Sequence, residues 1–453
     1  MTNHVSRLRL HTWTPSQFVR HLAADYRKSE AWPTSDLPTI SREILADIAL
    51  QYHEEHGLLS SVVENEIQAI RQGAILIRLA HQPNFLPYMN LIAQMVYLNV
   101  ARDKSRSKGL DAVGIVLLVD HDVCSNRRFR VAEAWDGMKA GHVRRFVLEA
   151  SKYSKHPMFV APSPNEEQVK AHVASLLDYA NSLRGQAITL GFLNPRDEMP
   201  SNLISLSHKI MGTDIQFKSL ADFSIHGAMV LFNDIWATPL IFIPLSRVIP
   251  HLSPAYNFIE RKLKSVGDNN DLLWSVCERC GVRTVLGSID PAGGCTDCRD
   301  IEELLPIRKP YPSKLPRVLF DDLADYVGIG IAGGTTYLSG RDHLAASHRS
   351  ANSADIPVRH ETCWTLSKVP PSPASDIAYR FYQAIGSIPK SAERIVDMMA
   401  CGRHSIADVI VTPEYLTATY QWLYEGLSTG DLVSGNTPSS HWTQITNIKC
   451  REK

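Results

Sequence analysis

Residues 74–99 read AILIRLAHQPNFLPYMNLIAQMVYLN. The first seven positions form an apolar run of strand length, and His81-Gln82-Pro83-Asn84 follows at once. Two prolines within five residues forbid regular strand pairing beyond Ala80. From Met89 to Arg102 the apolar residues return at three- and four-residue spacing, which predicts a helix. Strand, polar loop and helix are the first half of a parallel crossover unit. The second strand is GIVLLVD at 114–120, closed by His121 and Asp122. The interval between the two runs fits a right-handed crossover.

Working outward, further buried strands are predicted at 187–193 (AITLGFL), 240–245 (LIFIPL) and 327–333 (VGIGIAG). Helical periodicity fills 165–184, 198–211 and 218–234 between them. Apolar strands alternating with helices predict an α/β fold, with a mostly parallel sheet covered by helices on both faces. Residues 15–72 read as helical, with Gly57 and Gly73 as helix stops. The tail from about 375 reads as helical too, most clearly at 377–385 and 391–400. The resulting division is a helical segment at 1–72 and a core at 73–257. An insert at 258–310, a second core piece at 311–374 and a helical segment at 375–453 complete it.

Composition narrows the class. The chain has 453 residues, 44% apolar, so a large core can be buried. Lys plus Arg and Asp plus Glu number 47 each, and this balance argues against a basic nucleic-acid coat. No run approaches a membrane span. The first residues, MTNHVSRLRLHTWTPSQF, lack the apolar segment and small-residue site of a secretion signal. A cytoplasmic protein acting on small molecules is expected, with a homodimer admitted and neither membrane nor nucleic acid as partner.

Eight cysteines are present, and four follow Cys277-x2-Cys280-x14-Cys295-x2-Cys298. Each Cys-x-x-Cys turn aims two thiolates at one point, and two such turns complete the tetrahedron that zinc prefers. Glycines at 281, 293 and 294 suit the tight turns. Four thiolates leave no open position, so a structural zinc ribbon is expected. The competing reading is four buried or redox-active thiols.

Ligands of parallel sheets bind at the carboxyl ends of strands, where strand order reverses. That rule selects His81, Gln82 and Asn84 after the first strand, and Asp120, His121 and Asp122 after the next, as catalytic candidates. An imidazole can exchange protons or meet phosphate near neutral pH, and a carboxylate can orient it or hold a cation. Ordinary turn and capping roles compete with this reading. After the strand at 327–333 comes a glycine-rich loop. There Gly333, Gly334, Thr335 and Thr336 could cradle a carboxylate or phosphate, with Tyr337 and Arg341 adding stacking and charge.

These three elements in this order resemble the bacillithiol biosynthesis cysteine-adding enzymes. The residues that carry the resemblance are AILIRLAHQPNFLPYMNLIAQMVYLN, GIVLLVDHDVCSNRRF at 114–129 and LPRVLFDDLADYVGIGIAGGTTYLSG at 315–340. The resemblance implies a Rossmann-like core and a ligase that forms an amide between a small thiol-bearing amino acid and a sugar-malate acceptor. It also implies a nucleotide-sized ligand, such as ATP. The chain departs from the family in its His-Gln-Pro-Asn loop, in the lack of room for a long coiled coil, and in the cysteine cluster. Two other functions stay open. A class I-type nucleotidyltransferase carries His-x-Gly-His, where this chain has His81-Gln82-Pro83-Asn84. A zinc-ribbon adaptor for nucleic acid or protein would use Arg279, Arg283 and Arg299.

Overall fold

The computed structural model describes residues 14–17, 19–20, 41–135, 143–189, 199–252, 273–277, 279–285, 295, 298, 314–316, 329–331 and 404–430. In chain order the elements are α1 (Arg42–Glu55), α2 (Ser61–Arg71), β1 (Ile75–His81), α3 (Met89–Arg106) and β2 (Ala112–Leu118). Next come β3 (Val131–Trp135), β4 (Val143–Val147), α4 (Glu166–Thr189), α5 (Leu203–Met211), α6 (Leu220–Val230) and β5 (Ile241–Pro244). The last are β6 (Leu273–Val276), β7 (Arg283–Val285), β8 (Lys314–Pro316), β9 (Ile329–Ile331) and α7 (Glu414–Thr429). The chain is therefore mixed α/β.

Four strands form one parallel sheet in the order β5-β2-β1-β9. Its side chains sort by strict alternation. Leu76, Val113, Ile115, Leu117, Ile241 and Ile243 pack with Leu45 and Ala49 of α1 and Ile67 and Ile70 of α2. Ile75, Ile77, Leu79, Val116, Leu118 and Phe242 share the other core with Leu91, Ile92 and Met95 of α3 and with α6. Apart from Arg78, which is buried in the middle of β1, both faces are apolar, which is why these strands read as hydrophobic runs. Gly114 is the one bare position on the α3 side. A Cβ there would lie 3.0 Å from Leu240 Cδ2 and 3.2 Å from Leu98 Cγ, so its absence sets how closely α3 approaches the sheet.

Local signals agree with these boundaries. Ser60 caps α2 and Ser219 caps α6, each accepting a hydrogen bond from the backbone three residues on. Such caps contribute about 1 kcal/mol each. Gly57 and Gly73 hold φ of 64° and 95° where α1 and α2 stop. At the far end of the described chain, α7 lies along α3, with the Tyr424 hydroxyl donating to Asp103 Oδ2 at 2.9 Å.

One expectation is revised, and two pairings were not foreseen. Ala187–Thr189 close the long helix α4 and do not begin a strand, because the helical register of 166–184 simply continues; 190–193 lie outside the described residues. A hairpin of β3 and β4 was not anticipated. Its strands, VAEAW and VRRFV, carry charges that mask the alternation, and Phe146 buries edge-on against Tyr179 of α4. Third, the antiparallel sheet beside the cysteines, in the order β7-β6-β8, takes in Lys314–Pro316, beyond the expected insert end at 310. The helices expected at 377–385 and 391–400 lie outside the described residues. Among the described residues no helix is long and apolar enough to cross a membrane.

Gly114→Val should force α3 away from β2 and cost about 1–3 kcal/mol. Denaturant unfolding of the variant checks this; an unchanged midpoint would contradict the close approach.

Candidate functional site

The register of the sheet builds the site. His81 stands opposite Leu118, and Leu118 opposite Pro244, so β1, β2 and β5 end level. Whatever follows each strand emerges at one edge. The three followers are His81-Gln82-Pro83-Asn84, Asp120-His121-Asp122 and Ser246-Arg247. The first two sets were read from the sequence and the third was not.

Asp120 is buried at the end of β2. Its Oδ1 accepts the Ser246 amide at 2.9 Å, and its Oδ2 accepts the Ser246 hydroxyl. Burial pushes its pKa up to about 7, against the Ser246 hydrogen bonds, and nearby Asp222 adds to the rise. Asp222 sits in the first turn of α6, where Ser219 donates to it at 2.8 Å. Burial raises Asp222 too, while Arg247 opposes. Arg247 donates to Glu55 and lies with its guanidinium carbon 5.0 Å from the centre of the Tyr52 ring. Lys218 donates to the other Glu55 oxygen. Burial would raise Glu55, but Arg247 and Lys218 outweigh it and hold the carboxyl below its usual range. The result is a charged cluster drawn from α1, α6 and the ends of β2 and β5, with Asp120 and Asp222 buried and Glu55 and Arg247 partly exposed. Its sequence signal was weak, since Tyr52, Glu55 and Asp222 lie on amphipathic helices and look like surface or core residues.

His81 is buried and neutral, with burial lowering its pKa to about 4. A carbonyl only accepts, so Nδ1–H donates to Gln82 O at 3.0 Å, and Nε2 accepts the Tyr88 hydroxyl at 2.8 Å. Both ring nitrogens are thus engaged within the protein. Gln82 is also buried. Asn84 is 1% exposed, yet neither amide atom has a hydrogen-bond partner among the described residues. Leaving such a group unsatisfied costs about 1–3 kcal/mol, so a polar partner belongs there. Beside this loop runs a segment that sequence reading missed. His404 O accepts Met89 N at 2.9 Å, Ser405 donates to Leu86 O at 2.9 Å, and Ile406 N donates to Pro87 O at 2.8 Å. The His404 ring is buried, and neither of its nitrogens is hydrogen-bonded among the described residues.

His121 is buried and held neutral, first by burial and then by the charge of Arg283. Asp122 is partly exposed; its Oδ1 accepts Val123 N at 2.8 Å and lies 3.5 Å from Arg283. Gly333, Gly334, Thr335, Thr336, Tyr337 and Arg341 lie outside the described residues.

The cysteine cluster does assemble. Ligand atoms of Cys277, Cys280, Cys295 and Cys298 all lie within 4.8 Å of one another. Sγ separations are 3.2 Å for Cys277–Cys298, 3.5 Å for Cys280–Cys295 and 3.7 Å for Cys295–Cys298. A tetrahedral ion with thiolates at about 2.3 Å needs about 3.8 Å between sulfurs, so the donor set fits a metal with little movement. Gly281 makes the first turn with φ of 73°, and its amide donates to Cys277 O at 2.8 Å.

No protein-family model matches this chain, and no curated protein matches it.

The buried histidines give the fold a pH dependence. His53, His81, His226 and His404 all titrate near 4 because burial penalises the imidazolium. Unfolded histidine titrates near 6.5, so each contribution is complete above that pH and is lost as pH falls toward 4. At pH 5.5 the loss is about 1 kcal/mol per histidine. Asp120 and Asp222, whose raised values act in the opposite direction, offset only part of it. Melting temperature should fall between pH 7 and pH 5, and a flat or rising profile would contradict burial of the neutral rings.

Proposed function

We propose that this protein is a carbon–nitrogen ligase that joins an amino acid, cysteine or a similar one, to a small acceptor. The observation that carries the reading is the level edge of β1, β2 and β5, where Asp120, Asn84 and the Arg247 cluster follow three successive parallel strands. In sequence order the parallel strands lie third, second, first, fourth, which supports a Rossmann-like half-sheet. Their order reverses between β1 and β9, and ligands of such sheets sit in the crevice outside that point. The resemblance to bacillithiol cysteine-adding enzymes supplies the reaction class.

Each residue then has a role. Asn84 offers two donors and two acceptor lone pairs of unused capacity to a substrate carboxylate or amide. Asp120 titrates near neutrality, the range a general base needs, and takes the proton that the amine loses as the C–N bond forms. Ser246 aims the Asp120 carboxylate, while Arg247 tempers the charge of Asp222 beside it. With both nitrogens already bonded, His81 acts as a strut under the loop and Tyr88. ATP is the co-substrate we assign for carboxylate activation, with the loop from Gly333 to Tyr337 to receive it. We assign zinc to the four-cysteine group, since tetrahedral all-thiolate sites select it over harder cations.

Incubation of the purified protein with ATP, Mg²⁺, an amino-acid panel and a small-molecule extract should yield a product of acceptor plus amino acid minus water, with ADP and phosphate. Asp120→Asn should lower the rate by roughly 10²–10⁴-fold. Pyrophosphate and AMP would mark adenylation instead, and no nucleotide turnover with any fraction would remove the ligase reading. Metal analysis should find one zinc per chain, lost in a Cys277→Ser, Cys295→Ser double variant.

A further inference from the structure

The ribbon does not hang free of the sheet edge. Its first knuckle runs from Cys277 to Val282, with Cys277 N donating to Val282 O at 2.9 Å and Val282 buried among the cysteines. Arg283 follows directly, so the thiolates fix where its backbone leaves the knuckle. Its amide donates to Lys155 O at 3.0 Å. Its guanidinium donates to His121 O at 2.9 Å and pairs with Asp122, and the side chain is 11% exposed. His156 Nε2–H also donates to Cys280 O at 2.7 Å.

These two anchors meet one ladder. Phe159 N donates to Asp120 O, Met158 N to Asp122 O, Cys124 N to His156 O and Ser125 N to Ser154 O. Residues 120–125 are therefore stitched to 154–159, and the knuckle grips both rails, the first through the Arg283 guanidinium and the second through the Arg283 amide and His156. A guanidinium this well buried is costly unless its partners stay in place. Moving the knuckle therefore disturbs both.

We infer that Arg283 is a positioning residue that makes the conformation of the Asp120–Asp122 loop depend on the metal held by Cys277, Cys280, Cys295 and Cys298. The inference rests on a metal in that group and not on the ligase reading. Coupling of this kind is reciprocal, so an altered loop contact also changes metal affinity.

Hydrogen exchange on the full chain tests it, with metal content measured for every sample. Zinc-loaded protein, chelator-treated protein, Arg283→Ala and Arg283→Lys are compared, both variants at saturating zinc. Chelation should raise exchange at amides 120–125 and 154–159 about tenfold or more, while 113–118 in β2 stay protected. Arg283→Ala should reproduce the rise at 120–125 with zinc still bound, and should weaken zinc in a chelator competition. Arg283→Lys should restore part of the protection, because the charge remains but the forked geometry does not. Exchange confined to 273–298 on chelation, or an Arg283→Ala profile identical to wild type, would overturn the inference. Absence of ligase activity would leave these readouts untouched.

Discussion

Burial of the parallel sheet on both faces constrains everything else in this molecule. Between α1 and α2 on one side and α3 and α6 on the other, no polar side chain of β1, β2 or β5 reaches solvent from the middle of a strand. Parallel strands also need long crossovers, which carry the chain to the far edge and back. Polar groups that must face a ligand are therefore confined to the strand ends. Level register concentrates them further, because His81, Leu118 and Pro244 share one row and their followers share one edge.

At that edge the low-dielectric surroundings decide which groups are charged. Asp120 and Asp222 are both raised by burial, with the charge of Asp222 adding to the rise at Asp120 and the charge of Glu55 to that at Asp222. Arg247 and Lys218 keep Glu55 ionised nearby. The buried histidines go the other way and stay neutral. Acid–base capacity near pH 7 therefore falls to a carboxyl group, while His81 is held neutral by burial with both ring nitrogens bonded within the protein, and His121 is held neutral by burial and by the charge of Arg283. This reassignment follows from desolvation, a property of the packed state alone.

The cysteine cluster belongs to the same story through one cation. Arg283 leaves the first knuckle and spends its donors on His121 and Asp122. A four-cysteine group that could hold a metal ion thereby abuts the loop after β2, although more than 150 residues separate Arg283 from His121 in the chain.

By itself the sequence determined the elements whose signal is local. Runs of apolar residues marked β1, β2 and β5; Gly57 and Gly73 marked helix ends; the Cys-x-x-Cys pairs marked the group that could hold a metal ion. It also marked His81, Gln82, Asn84, Asp120, His121 and Asp122 as candidates without ranking them, because a position after an apolar strand is itself a local pattern. What only the tertiary structure decided was companionship and charge. Ser246 and Arg247 join Asp120 because β5 pairs with β2, a contact across 126 residues that no spacing records. His404 and Ser405 reach the first loop, and Arg283 reaches the second, by the same long-range packing. The neutral histidines and the raised Asp120 follow from that packing, since a pKa depends on the surroundings a side chain acquires and not on its neighbours in the chain.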